Sequence, residues 1–448
     1  MRILGCRFLM VSAIALWPWL GLNAQTINLS ADLSTTADTP EASVAAQMSG
    51  ICSRLSGLST TTTGQAQLLS ACTELNDASN DFSERVNGLV AVSAKASTAQ
   101  VTAATRNTLG NQGTFVGQRL NALRKGLALE GLSGVSFHLN EQLLVDEPAW
   151  GYSGGAAGDE DGASGFSGYV NGGFSVSEQA ATSHLVGYDA DAFSVLLGGD
   201  YRLSRNAVAG MGVHYLTNTL DLSHNQGQLD GDGYGLLFYG SYFPEDDWFI
   251  EASLHVGSSS YDMSRKVDFS INNINFNEVA DSATDADVFE LSFSGGYDMA
   301  LEGGLQLLLS GELRYLASEI DAYSETGGGG FDLSLASQEI EQTLLTLSMQ
   351  FNKAISTANG VVIPSFRFSL INDLSADEQD ITASFVNDPG NVPFTFTTPT
   401  RDSFYVELAA GVSIYLVNDA AVYAQVESVQ LLDDYEQLAL SFGYRQDI

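Results

Sequence analysis

From Gly165 onward the sequence repeats one pattern, runs of about ten residues with apolar side chains at every second position. "FSVLLGGDYRL" sets Phe193, Val195, Leu197 and Tyr201 against Ser194, Gly198, Asp200 and Arg202. "WFIEASLHVG" sets Trp248, Ile250, Ala252, Leu254 and Val256 against Glu251, Ser253 and His255, and "FYVELAAGVSI" and "QLALSFGYRQDI" continue the alternation toward Ile448. Period 2 means strands, because successive side chains of a strand point to opposite faces. One face is apolar and the other carries charge, glycine and hydroxyls, the pattern of a wall with lipid outside and water inside.

Twelve such runs are expected, at about 165–175, 191–203, 207–221, 232–243, 247–260, 286–299, 304–318, 339–352, 360–373, 402–416, 420–430 and 435–447. The connections after runs 2, 4, 6, 8 and 10 are short ("LSRN", "PEDD", "LEGG", "ISTANG", "VND"), and those after 1, 3, 5, 7 and 9 read as long and polar. An even strand number with short turns at one end and long loops at the other predicts an all-β transmembrane barrel of 12 antiparallel strands, its short turns and both sheet ends on the periplasmic side. A soluble sandwich has no reason to alternate its loop lengths so regularly.

Charge divides the chain. Between Glu84 and Glu130 there is no acidic residue, while Arg85, Lys95, Arg106, Arg119, Arg124 and Lys125 all fall inside. From Gly165 onward nine Lys and Arg stand against 40 Asp and Glu. A basic segment followed by an acidic body implies partners of opposite sign, here within one molecule, and disfavours nucleic acid. Arg106–Gly126, as a helix rising 1.5 Å per residue, is about as long as a bilayer core is thick. It is expected to thread the pore, with Arg106, Arg119, Arg124 and Lys125 facing lumen carboxylates. By strand parity those are Asp200, Glu251, Glu290, Glu312, Glu407 and Glu427, with His255 as a polar pore residue, and Arg202, Arg314, Arg367 and Arg445 on the same face. The other reading of residues 82–126 is a periplasmic helix with a solvated cationic face.

Met1–Ala24 reads as a secretory signal peptide: Arg2 and Arg7 precede the apolar stretch Phe8–Leu20, and Leu22-Asn23-Ala24 suits cleavage. Export makes a disulfide between Cys52 and Cys72 the expected fate of the remaining cysteines. Val44, Met48, Ile51, Leu55 and Leu58 lie at helical spacing, as do Leu68, Cys72 and Leu75. The two cysteines are equidistant from Thr62, which with Gln65 fits a capping box, so a small disulfide-linked helical hairpin is predicted.

No catalytic constellation emerges. "GYSGG" (Gly151–Gly155) matches G-x-S-x-G but sits in the low-complexity run "GYSGGAAGDEDGASG", and "DGDGYG" from Asp230 reaches Ser241 where a calcium loop needs Glu. The carboxylate clusters Asp189/Asp191 and Asp281/Asp285/Asp287 read as solvated loops. No cofactor or metal site is expected.

In its order of parts the chain resembles the autotransporter family of type V secretion. The resemblance is carried by the exported leader, the segment ending "QRLNALRKG", the phrase "FSVLLGGDYRLSRNAVAGMGVHY" and the C-terminal "LSFGYRQDI"; the hairpin "CSRLSGL…LLSACTEL" looks like segments found ahead of such barrels. The resemblance implies localisation in the outer membrane of a Gram-negative bacterium, with lipid and lipopolysaccharide as surroundings. It implies insertion by the barrel-assembly machinery with periplasmic chaperones, a helix in the pore, and a passenger at the cell surface. The Gly-Asp-Ser-Leu block of the surface esterases in some members is absent, and no enzyme is expected. The resulting organisation is 1–24 signal peptide, 25–81 helical hairpin, 82–130 linker and pore helix, 131–164 Gly/acidic connector and 165–448 barrel. The alternative is a structural or adhesive barrel, or a helix-plugged channel, that exports nothing.

Overall fold

The computed structural model describes residues 39–77, 79–97, 99–100, 165–204, 206–245, 247–376, 379–398, 402–416 and 420–447, with two short strands at His138–Leu139 and Gln142–Leu143. The signal peptide and the pore-helix residues Arg106, Arg119, Arg124 and Lys125 lie outside the described residues. Among those described, no helix is long and apolar enough to cross a membrane.

Twelve long strands close into one antiparallel barrel. They are β1 (Phe166–Gln179), β2 (Tyr188–Ser204), β3 (Ala207–Leu222), β4 (Gly227–Glu245), β5 (Trp248–Ile271) and β6 (Ile274–Ala300), followed by β7 (Leu305–Ile320), β8 (Gln338–Lys353), β9 (Gly360–Asp373), β10 (Phe404–Leu416), β11 (Ala420–Gln430) and β12 (Tyr435–Asp447). Each pairs with its sequence neighbours, and β12 returns to β1 in the register Tyr435↔Gln179 to Asp447↔Ser167. Closure leaves no open edge, which strands surrounded by lipid require.

Large apolar side chains are exposed on the outer face: Leu197, Met211, Val213, Ile250, Phe293, Leu347, Leu438 and Phe442 among them. On β2 the exposed aromatic pair Phe193 and Tyr201 brackets the band. Their spacing corresponds to about 20 Å of height at ~3.3 Å per residue and a tilt of about 40°, close to the apolar band of such barrels.

One expectation is corrected. The connections after strands 3 and 5 are not long polar loops: β3 and β4 are joined by Ser223–Gln226, and β5 and β6 by Asn272-Asn273. Both of these asparagines have positive φ (49° and 64°), the left-handed conformation that two-residue hairpin turns need and Asn tolerates. The strands run on because the alternation continues while its polarity inverts. Below Val256 the outward side chains of β5 are apolar. Above it Ser260, Asp262, Ser264, Lys266, Asp268 and Ser270 face out, and Tyr261, Met263, Val267, Phe269 and Ile271 are buried inward. The wall has left lipid and now faces water outside and a packed core inside. Genuine loops remain after β1, β7 and β9, and the last two contribute a small antiparallel sheet, Tyr323–Ser324, Leu333–Leu335, Asp380–Phe385 and Phe394–Thr397.

Three helices fill this upper basin: α1 (Pro40–Ser56), α2 (Thr63–Asn76) and α3 (Phe82–Val92). The Thr39 hydroxyl accepts from the Ala42 N–H to cap α1, Thr62 and Gln65 form the capping box of α2, and Asp81 caps α3 through the Ser83 and Glu84 N–H groups. Cys52 and Cys72 are disulfide-bonded across the α1–α2 hairpin, Cα atoms 5.7 Å apart. The segment from residue 82, expected to begin the linker, continues this helical unit. Gly88 lets α3 approach both Leu75 and Phe269, where a Cβ would come within 2.7 and 3.0 Å. Buried Arg85 donates from Nε to the Leu75 carbonyl near the end of α2 (2.8 Å). Val44, Met48, Ile51, Leu55, Leu68, Leu75, Leu89 and Val92 share one apolar core with Phe269, Phe276, Phe331, Leu333, Phe385 and Phe396 from the barrel's upper wall and loops. Replacing Cys52 and Cys72 by Ser removes a constraint on a loop of 20 residues and is expected to cost about 3 kcal/mol. Amide hydrogen exchange in α1 and α2 of the full chain checks this.

Candidate functional site

Two places concentrate polar chemistry, the capped mouth and the inner wall of the barrel.

At the mouth, the helical unit is held by charge and hydrogen bonds around the shared core. Arg54 on α1 forms a bidentate pair with Asp388 (Nε–Oδ1 and Nη2–Oδ2, both 2.7 Å), and Asp388 also accepts from the Gly390 and Val392 N–H groups. Burial works upward on the Asp388 carboxyl, but Arg54 and these N–H groups outweigh it and hold it below the usual carboxylate range. Gln67 on α2 donates to Glu278 (2.9 Å), Glu84 accepts from the Asn272 N–H (3.0 Å), Glu74 accepts from the Asn272 side chain (3.1 Å), and Ser43 donates to the Thr395 carbonyl (2.9 Å). Gln100 ends the described unit by donating to the carbonyls of Gln228 and Ser264, 2.8 Å each. Lys95 pairs with Glu41 at 3.2 Å, so two residues of the cationic window, Arg85 and Lys95, serve the cap itself.

A depressed Asp388 pKa contributes stability that is present above the unfolded carboxylate value of about 4 and lost as pH falls through the lower folded value. The Arg54–Asp388 clamp is therefore expected to hold at neutral pH and to loosen in acid below about pH 4. Comparing the acid dependence of cap release in the parent and Arg54→Met, by limited proteolysis, checks this; the parent should show the larger change.

The centre of the join is Arg265, which stands on the inward, apolar phase of β5 and is 2 % exposed. Its Nε and Nη2 donate to the two carboxylate oxygens of Glu325 (2.8 and 2.5 Å), Nη2 to the Phe331 carbonyl (2.8 Å), and Nη1 to the Ala91 carbonyl of the cap (3.2 Å). Glu325 also accepts from the Leu333 N–H and from Ser97. Burial opposes the Arg265 charge, yet Glu325 more than compensates and its pKa is raised; Asp332 close by is pushed up by burial. One guanidinium thus ties barrel wall, loop sheet and cap together.

Along the lumen, the residues picked by parity lie on the inner face. Asp200, Glu251, His255, Glu290 and Glu427 are buried, and Glu312 and Glu407 are half-buried. They fall into separate groups. Asp200 accepts from the Tyr239 hydroxyl (3.0 Å), and Glu251 from Ser241 and Ser294 (3.4 and 3.1 Å). Arg314 bridges Glu312 and Glu290 (2.6 and 3.7 Å), and Arg367 bridges Glu407 and Glu427 (both 2.6 Å). His255 stands opposite Glu290 in the β5–β6 register and beside His214, which sequence reasoning did not single out. Arg265 and Glu325 were also missed. The available signal was an Arg inside the period-2 run Tyr261, Met263, Val267, Phe269, where only a paired charge is tolerated. Asp230 and Asp232 lie within strand β4 and not in a cation loop, and among the described residues no group of three or more His, Cys, Asp or Glu is placed to hold a metal ion.

A closed twelve-stranded barrel with an apolar outer belt and a charged inner wall defines an outer-membrane β-barrel protein. The family model for the autotransporter beta-domain matches residues 150–427, more than half of the sequence. The chain belongs to that family: its barrel is an outer-membrane translocator and anchor, and family membership implies insertion by the outer-membrane assembly machinery. Among curated proteins it is 24 % identical over 283 residues to Esterase EstA of Pseudomonas aeruginosa and, equally, to Esterase EstA of Pseudomonas putida. The match covers 62 % of this chain and only 42 % of each relative. Similar solved structures include the translocator domain of autotransporter NalP from Neisseria meningitidis, with TM-score 0.49, 15 % identity, and coverage of 63 % of this chain and 88 % of that one. The beta domain of the Bordetella autotransporter BrkA gives TM-score 0.41 and 16 % identity over 62 % of this chain and 98 % of that one.

Proposed function

We propose that the unit from Thr39 to Gln100 is cargo that this barrel displays at the cell surface, docked on its mouth as a disulfide-stapled cap, and that residues 101–164 return through the lumen to β1. One observation carries the reading: the cap packs against the long-loop end, whereas β1 begins at the opposite end, where Phe166 pairs with Tyr201 beside the short β2–β3 turn. In outer-membrane barrels the long loops face outward and the short turns face the periplasm. On this reading the chain between Gln100 and Gly165 crosses the membrane. Its 64 residues are ample, since about 20 helical residues span a bilayer core. The lumen offers Arg106, Arg119, Arg124 and Lys125 the carboxylates Asp200, Glu251, Glu290, Glu312, Glu407 and Glu427, and lipid offers them nothing.

On this reading the domains are a leader, a surface cap ending near Gln100, a lumen linker and the barrel. On the same reading the displayed unit acts as a cap and anchor partner of the barrel and not as an enzyme. Lipopolysaccharide surrounds the upper wall, and the assembly machinery with periplasmic chaperones delivers the barrel. An epitope inserted between Thr60 and Thr61, at the exposed tip of the α1–α2 hairpin, tests display. Antibody should stain intact cells; staining only after the outer membrane is opened would place the cap in the periplasm and favour the plugged-barrel alternative. A lid also predicts that deleting Thr39–Gln100 raises single-channel conductance in planar bilayers.

A further inference from the structure

We infer that His214 and His255 form a two-imidazole site for a borderline divalent ion, Zn2+, Ni2+ or Cu2+, on the lumen wall between β3 and β5. Both rings lie on the inner face, 5 % and 3 % exposed, with centroids 5.7 Å apart and planes at 78°. They meet across β4 because the intervening inward position is Gly235: a Cβ there would lie 2.4 Å from the His255 Nε2. Gly235 is the cross-strand partner of His214, so the His255 ring reaches over a gap that only glycine leaves open.

The separation suits a shared ion. With metal–nitrogen bonds of about 2.0–2.1 Å, each ring centroid lies about 3.2 Å from the metal, and centroids 5.7 Å apart then subtend about 125°, within the range of a distorted tetrahedron. His255 supplies the second, independent observation. It is buried, and among the described residues neither Nδ1 nor Nε2 has a hydrogen-bond partner. A buried ring with both nitrogens unsatisfied is expensive, and an ion bound at one of them, with a partner at the other, removes the penalty. Glu290, directly opposite His255 on β6, brings a negative charge to the same stretch of wall, while the two imidazoles alone are the protein ligands. Water completes the coordination. Imidazole selects Zn2+, Ni2+ and Cu2+ over the harder Mg2+ and Ca2+, so the site differs in kind from the carboxylates of the outer wall. This inference stands apart from the question of display.

The test uses the full chain refolded in detergent, titrated with Zn2+ against a chromophoric chelator in excess Mg2+ to occupy the surface carboxylates. The expected result is a single Zn2+ per chain, bound at least about tenfold more weakly in His255→Gln and in His214→Gln and unchanged in His184→Gln. Gly235→Ala keeps both imidazoles but displaces His255, and should weaken binding too. The heat-dependent gel shift of the barrel reports folding for each variant. With Cu2+, the electron paramagnetic resonance spectrum should show couplings to two imidazole nitrogens in the parent and one in His255→Gln. Absence of a Mg2+-resistant ion in the folded parent, or affinity and nitrogen couplings unaltered by His255→Gln, would overturn the proposal.

Discussion

Glu325→Ala is expected to release the cap from the barrel, at a cost of about 3–5 kcal/mol, because it leaves the Arg265 guanidinium buried without its counter-charge. Arg265 is 2 % exposed and Glu325 3 %, so water cannot take over the missing contacts. The penalty belongs to the orphaned charge more than to the lost attraction. The double variant Arg265→Met/Glu325→Leu, which removes both charges and keeps apolar volume, should recover most of the stability. Thermal unfolding of the cap in the full chain, followed by hydrogen exchange at α3 amides, reads both outcomes. A double variant as damaging as the single one would mean that the join depends on the hydrogen bonds to Phe331 and Ala91 and not on charge balance.

The second large effect lies on the outer wall. Leu197 is exposed midway between Phe193 and Tyr201, in the middle of the apolar band. Leu197→Arg should cost about 2–4 kcal/mol, whereas Asp191→Arg, two positions above Phe193 on the same outward face, should cost about 0–1 kcal/mol. Reversible urea unfolding in phospholipid vesicles measures the difference. Equal costs at the two positions would contradict the placement of the membrane boundary between Asp191 and Phe193.

That boundary also marks where sequence reasoning stopped working. In the band, a polar inner face and an apolar outer face follow directly from water inside and lipid outside, so Asp200, Glu251, His255 and Glu427 could be placed by parity alone. Above the band the same parity holds while the solvent changes sides. Asp262, Asp268, Asp285 and Asp287 then look like loop residues, although they occupy the outward positions of β5 and β6. The helical hairpin was readable because its information is local: spacing, a capping box and two cysteines. Helix α3 was masked by its charge. Arg85 and Lys95 suggested a cationic linker, but one lies against the end of α2 and the other pairs with Glu41. The partners of Arg265 and of Arg54 are 60 and 334 residues away along the chain, and no periodicity encodes separations of that size.

Which side of the outer membrane the cap occupies is measured most directly with two single new cysteines, Thr61→Cys at the exposed hairpin tip and Ser356→Cys in the exposed short strand Ile355–Thr357 that connects β8 to β9. Each is compared with the parent, whose Cys52 and Cys72 are joined. On intact cells a membrane-impermeant maleimide should label Thr61→Cys and leave Ser356→Cys untouched until the outer membrane is opened. Protection of Thr61→Cys in intact cells would contradict surface display, and labelling of Ser356→Cys without lysis would reverse the assigned orientation of the barrel.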